Sequence, residues 1–225
     1  MKPWHIRDPL GFDQERADVE GRYPHLHVHI VGDEIRIAGT MPIVDGATEL
    51  DRFQLEITLP IDYPDAVPIV VETGGRVPRT PDRHCNPADG TACVMLPEDR
   101  WRVWPVGSTL LQFIDGPVLQ YLIGQATVER GDPWPFGEWS HGEQGQREYY
   151  KEVFQTDELP KVRTYLEFII AKKAKGHWDC PCGSGRRLRD CHGAMVYELR
   201  DKMPRTEARK SLGRLPYPPS MPKRR

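Results

Sequence analysis

Apolar and polar residues alternate from His25 onward. Leu26, Val28 and Ile30 fall on one side, and His27 and His29 on the other. That two-residue period is the mark of a half-buried strand. It stops at Gly32-Asp33-Glu34 and resumes at Ile35 and Ile37. Phe53, Leu55, Ile57 and Leu59 repeat it, YPDAVP (63–68) ends it with prolines, and IVVET adds a fourth short run. Four strands in series with short links predict an antiparallel meander. A short helix is expected within residues 1–22. Residues 73–107 have no period and are rich in Gly and Pro; a loop that long in a compact domain is usually functional or disordered. Ser108 is expected to cap a helix over TLLQFIDGPVLQYLIGQ, which Pro117 should kink or split. After an irregular GDPWPFGEWSHGEQG come two helices. The second, near 158–173, lines up Val162, Tyr165, Leu166, Ile169 and Ile170. AMVYELRDKM reads as a short helix and LPYPPSMPKRR as disordered.

Composition adds little until charge is mapped. The 225 residues suffice for one medium core and an appendage, and 38% hydrophobic with 28% charged residues is ordinary for a globular chain. No run of 18 apolar residues predicts a membrane span, and MKPWHIRDPLGFDQ lacks the apolar core of a signal peptide, so the expected location is the cytoplasm. Thiols stay reduced there, which turns five cysteines toward metal binding or catalysis. The net charge of −2 hides an asymmetry. Residues 161–225 hold 17 Lys or Arg against 6 Asp or Glu, and residues 1–160 hold 14 against 27. Two units with different partners are implied, the basic one suited to RNA, ribosome or an acidic protein.

CPCGSGRRLRDCHG supplies Cys180, Cys182, Cys191 and His192, three sulfurs and an imidazole in a short segment. That set matches a closed tetrahedral zinc site. Four protein ligands leave no open position, so the expected zinc is structural, and a metallohydrolase is excluded. The segment is too short to bury much apolar area, so the metal must stabilise it. Residues 178–193 resemble the SEC-C motif, found at the end of the SecA translocation ATPase and appended to many bacterial proteins. Arg186, Arg187 and Arg189 are expected to form a basic docking surface with the tail.

A second cysteine stands in HCNPADGTACVMLPEDRW (84–101). The order of features around it resembles the E2 ubiquitin-conjugating fold over residues 20–125. YPDAVP resembles that family's Tyr-Pro…Pro turn. His84, Cys85 and Asn86 resemble its His-Pro-Asn triplet, GTAC resembles the stretch ending in the catalytic cysteine, and Trp101 follows at the expected distance. The resemblance implies an N-terminal helix, a four-stranded antiparallel meander and C-terminal helices, an α+β architecture with the zinc knuckle added. It assigns Cys93 as the thioester-forming nucleophile, Asn86 as an amide donor to the oxyanion or an orderer of the loop, and His84 as a backbone-binding residue that fixes Asn86. Sulfur suits both attack and departure, and Gly90 allows a tight turn and the approach of an extended tail. Cys85 replaces the family's proline, the segment is about one residue short, and Pro117 interrupts the following helix. Such departures resemble bacterial relatives encoded beside E1-like enzymes, JAB-type peptidases or nucleotide cyclases in antiviral operons.

The expected organisation is therefore an E2-like catalytic domain (1–155), a connecting helix (156–176), the zinc motif (177–195) and a basic, partly disordered tail (196–225). The expected activity is transfer of a ubiquitin-like modifier, or another activated acyl group, from Cys93 to an amine. Its partners would be an E1-like activating enzyme, the modifier and a protein target, with RNA or ribosome contacted through the basic region. The alternative is a non-catalytic scaffold whose zinc motif and tail bind protein or RNA.

Overall fold

The computed structural model describes residues 2–137, 139–140 and 142–216; most of the closing segment expected to be disordered, residues 217–225, lies outside them. The chain begins with α1 (Trp4–Arg7) and α2 (Pro9–Arg22). Pro9 starts α2, and the Asp8 carboxylate accepts a hydrogen bond from Gly11 N, which satisfies an otherwise unpaired helix donor. The strands β1 (Leu26–Val31), β2 (Glu34–Asp45), β3 (Thr48–Leu59) and β4 (Ile69–Glu72) follow. They form one antiparallel sheet in the order β1-β2-β3-β4, the meander that the alternation predicts. Across it Val28 pairs Ile37, Ile37 pairs Ile57 and Ile57 pairs Val70, all four buried. A one-residue slip would turn this whole row toward water, so burial fixes the register.

After β4 the chain runs through short turns to α3 (Arg100–Val103), α4 (Leu110–Phe113) and α5 (Leu119–Glu129). The cap expected at Ser108 is one residue later: Thr109 Oγ1 accepts from Gln112 N at 3.2 Å, and Gln112 Oε1 accepts from Thr109 N at 2.9 Å. Threonine followed at N3 by glutamine makes a reciprocal capping box. Pro117 does not split the helix. A π-helical turn over Ile114–Val118 joins α4 to α5. The wider turn takes up a residue that cannot donate an i→i−4 bond, and the helix continues. Phe113, Ile114, Val118 and Leu122 thereby stay buried.

The helices α6 (Glu143–Phe154), α7 (Leu159–Ile170), α8 (Gly193–Lys202) and α9 (Arg205–Arg214) complete the chain. It divides into two compact units, Met1–Met95 with Val103–Gly137, and Leu96–Arg102 with Glu138–Arg225. The division differs from the expected boundary at 155/156: α6 and the seven residues 96–102 belong to the second unit. The expected connecting helix is a core element there, with Leu159, Val162, Tyr165, Leu166 and Ile169 buried. The basic segment expected to be partly disordered holds two helices, the first of them the short helix expected over AMVYELRDKM. Residues 193–202 and 205–214 are helical and bury Val196, Leu199 and Ala208. Rings stack in this core, Tyr150 on Phe154 at 5.7 Å and Phe154 on Tyr165 at 5.3 Å. Arg200 donates to the carbonyls of Phe168, Ile169 (3.0 Å) and Ala171 (2.9 Å). A cation thus satisfies the unpaired C-terminal end of α7 and its dipole. Among the described residues no helix is long and apolar enough to cross a membrane.

Candidate functional site

Cys180, Cys182, Cys191 and His192 converge, their ligand atoms all within 4.8 Å of one another. A small two-stranded turn brings them together. Asp179 bridges Arg187, Cys180 N donates to Arg186 O at 2.9 Å, and Leu188 N donates to Trp178 O at 2.7 Å. Gly183 (φ +83°) and Gly185 (φ +72°) take the left-handed conformations that reverse the chain between the first and second ligand pairs. Leu188 and Val196, both fully buried, anchor the turn on α7 and α8 beside Tyr165.

The donors lie close enough together to share one ion, the two separations from His192 Nδ1 being shorter than ideal tetrahedral edges. Bond lengths of about 2.3 Å to sulfur and 2.0–2.1 Å to nitrogen imply ligand-to-ligand edges of about 3.6–3.8 Å. Cys182 Sγ lies 3.6 Å from Cys191 Sγ, and His192 Nδ1 lies 3.2 Å from Cys180 Sγ and 3.3 Å from Cys191 Sγ. The supporting shell is polar. Arg186 donates to Cys191 Sγ at 3.2 Å, and Ser184 Oγ lies 3.2 Å from Cys182 Sγ. Ser184 is the main reason the Cys182 thiol is brought down to about 6, while burial pushes the Cys180 thiol up. With a cation present all three would be thiolates. Each of the motif's arginines has an intramolecular partner: Arg186 the Cys191 sulfur, Arg187 the Asp179 carboxylate at 2.7 Å, Arg189 the Asp190 carboxylate at 3.4 Å.

The Cys93 loop belongs to the first unit and is bound to the sheet edge. Val71 of β4 bridges Thr91, and Ala92 N donates to Val70 O at 2.8 Å. Within the loop Cys85 sits opposite Ala92, flanked by Cys93 N donating to His84 O (2.7 Å) and Asn86 N donating to Thr91 O (2.9 Å). Successive residues of paired strands face opposite ways, so Cys85 is buried at 4% exposure while Cys93 is exposed. Although Cys93 is exposed, partial burial of its sulfur is the first cause of a raised thiol pKa, with Cys85 and Asp89 adding to it. Asn86 orders the turn: its Oδ1 accepts from Ala88 N at 3.0 Å, and its carbonyl accepts from Gly90 N at 2.9 Å. Gly90 has φ +78°, as the tight turn requires. His84 takes a left-handed conformation (φ 45°), and its ring packs on Trp134 at 4.3 Å. Trp101, which follows Cys93 in the sequence at the distance the resemblance implies, donates from Nε1 to Tyr149 Oη at 2.8 Å within the second unit.

Two residues that pattern reasoning missed hold this loop. Gln125, fully buried on α5, donates from Nε2 to Arg83 O at 2.6 Å and accepts from Arg83 Nε at 2.8 Å. Trp134 lies over Gly124 so closely that an added Cβ would come within 2.3 Å of its ring. The polar glutamine inside an otherwise apolar helical stripe was the one signal available, since a buried amide demands partners.

Residues 179–194 match the SEC-C motif, the segment whose four donors converge here. No curated protein and no solved structure matches the chain.

Proposed function

We propose that this chain carries an activated acyl group, most simply the C-terminus of a ubiquitin-like protein, as a thioester on Cys93 and passes it to an amine. The observation that carries the reading is an exposed cysteine in a glycine-turned loop, bound to the edge of a four-stranded meander and clasped by the following helix. In the loading step the Cys93 sulfur attacks the carbonyl of a partner's thioester, its proton goes to solvent or a partner base, and the partner's thiolate leaves. In transfer an amine attacks the same carbonyl, loses a proton, and Cys93 leaves as thiolate. Asn86 is the residue proposed to face the oxyanion, where losing one donor typically costs about 2.7–4 kcal/mol. His84 is proposed to hold the loop through its carbonyl. The SEC-C unit, holding structural zinc, would recruit the target. An E1-like enzyme would supply the thioester, in the cytoplasm and in an antiviral setting.

The test is incubation with a candidate E1-like enzyme, its ubiquitin-like modifier and ATP. An adduct cleaved by dithiothreitol is expected, absent in Cys93→Ala and turned into a dithiothreitol-resistant ester in Cys93→Ser. An adduct that survives in Cys93→Ala would overturn the assignment. A specific observation favours a second reading, a binding scaffold: the raised Cys93 thiol is protonated at neutral pH, which does not suit a resting nucleophile. The scaffold would leave target binding unchanged in Cys93→Ala and bind RNA with steep salt dependence. The internal partners of Arg186, Arg187 and Arg189 weaken its RNA form.

A further inference from the structure

The chain turns sharply between α6 and α7 and leaves a hollow beside the metal donors. Phe154 is the last residue of α6, and Gln155 closes it in a left-handed conformation (φ 58°). Thr156 follows, and its Oγ1 accepts from Glu158 N at 3.3 Å. Glu158, Lys161 and Tyr165 then succeed one another at helical spacing, on one side of α7. Together with Cys182 and His192 these residues line a cavity of about 200 Å³ within the second unit. Phe154 and Tyr165, buried and stacked on each other, give it an apolar wall.

The polar groups around the cavity are chiefly donors. Lys161 reaches from α7 to the metal turn: a Cβ placed on Gly183 would stand 3.9 Å from Lys161 Cε. Its ammonium pairs with Glu158, whose side chain is 60% exposed. An ion pair that open to water contributes little and is readily exchanged. His192 spends Nδ1 on the sulfurs of Cys180 and Cys191. An imidazole that binds metal through Nδ1 carries its proton on Nε2. Such an outer N–H is almost always given to a carboxylate, a carbonyl or water, and no group among the described residues accepts it here. The Thr156 hydroxyl keeps its hydrogen to donate. Three thiolates outweigh the charge of a divalent ion, but Arg186 donates to Cys191 Sγ and offsets the excess.

We propose that this cavity binds a carboxylate of a partner polypeptide, held between the Lys161 ammonium and the Nε2–H of His192, with the Thr156 hydroxyl beside them. The two oxygens of a carboxylate match two donors, and both bonds are charge-assisted. The metal stays structural, and no bond to it forms or breaks. The site gives the SEC-C unit a means of recruiting a target through an acidic side chain or a chain end. It stands on the second unit alone, so the chemistry proposed at Cys93 can fail without touching it.

The test uses the full chain with zinc bound, titrated with short acetylated peptides. One ends in a free carboxylate, one is amidated and carries a glutamate, and one is amidated with glutamine in its place. Binding is followed by NMR at the Nε2–H proton of His192. A carboxylate peptide should move that resonance downfield, and the arm that binds identifies the source as a chain end or a side chain. Lys161→Met should weaken binding about tenfold, the loss of one charge-assisted bond. Glu158→Gln should tighten it, because the ammonium is freed. An unchanged zinc content in both variants checks that the knuckle is intact. Equal binding of the glutamine peptide, an unmoved His192 resonance, or the same dissociation constant in Lys161→Met overturns the proposal. So does failure of both carboxylate peptides to bind at millimolar concentration. Weaker binding in Glu158→Gln also overturns it, since the cavity would then serve a cation.

Discussion

The pair Arg100–Glu207 offers the sharpest test of how the second unit is held. Arg100 Nη1 donates to Glu207 Oε1 at 2.9 Å, and each side chain is only 5% exposed. Removing one partner from a buried pair strands a charge and costs about 3–5 kcal/mol. Lys210 Nζ lies 3.1 Å from the same Glu207 oxygen but is 40% exposed, so it compensates in part. Arg100→Met should therefore fall at the low end, about 3 kcal/mol, and Glu207→Met should cost about as much or more by leaving the guanidinium behind. The double replacement strands neither charge and should cost no more than either single. The assay is backbone hydrogen exchange in α6 and α9 with metal present, where 3 kcal/mol lowers protection by roughly a hundredfold. If the double variant's loss equals the sum of the singles, the two groups are not coupled and the argument from burial fails.

Two further outcomes follow from the sites. Zinc should bind at one ion per chain, be removed by a strong chelator and be lost in Cys182→Ser; hydrogen exchange in 179–194 should then rise steeply while β1–β4 stay protected, and protection unchanged by chelation would show that the knuckle folds without metal. Glu15 accepts from Tyr63 O–H and Leu110 N, both at 2.8 Å, and burial is the first cause of its raised carboxyl pKa. Because the folded state then binds the proton more tightly than the unfolded state, stability should rise as pH falls toward the ordinary value of 4.5 and be lost as pH climbs through the folded value. Glu15→Gln should flatten that rise in urea unfolding between pH 7 and 5, and an identical slope in both proteins would refute the assignment.

The parts of this molecule that were legible are those whose signal is local. The meander shows because each strand carries its own two-residue period, and neighbours pair through short turns. The metal site shows because its four donors lie between residues 180 and 192, so spacing alone brings them together. The unit boundary was hidden for the opposite reason. LPEDRWR (96–102) reads as a polar loop, yet Glu98, Asp99 and Arg100 are buried. What makes burial tolerable is Glu207, 107 residues away, together with Gln146 and Arg214 on Glu98. Hydropathy counts a charge as outside, and it cannot see a partner that arrives from another helix. The same blindness left α9 unread in the basic segment after α8: arginines there read as solvated charge, whereas Arg200 of α8 is spent on the end of α7.

The cysteine loop shows how far a spacing argument reaches. The pattern pointed to Asn86 either as oxyanion donor or as the residue that orders the turn, and these are not rivals. Its Oδ1 is held by Ala88 N, which orients the side chain by its acceptor end. In the proposed transfer the Nδ2 donors would be the end left to meet a developing oxyanion, with little reorganisation needed. Ordering the loop is thus the means by which a donor would be preorganised. By the same logic the raised thiol of Cys93 need not count against transfer. A sulfur that resists ionisation at rest is also protected from adventitious alkylation and oxidation, and a partner that docks over the loop can supply the base that an isolated chain does not.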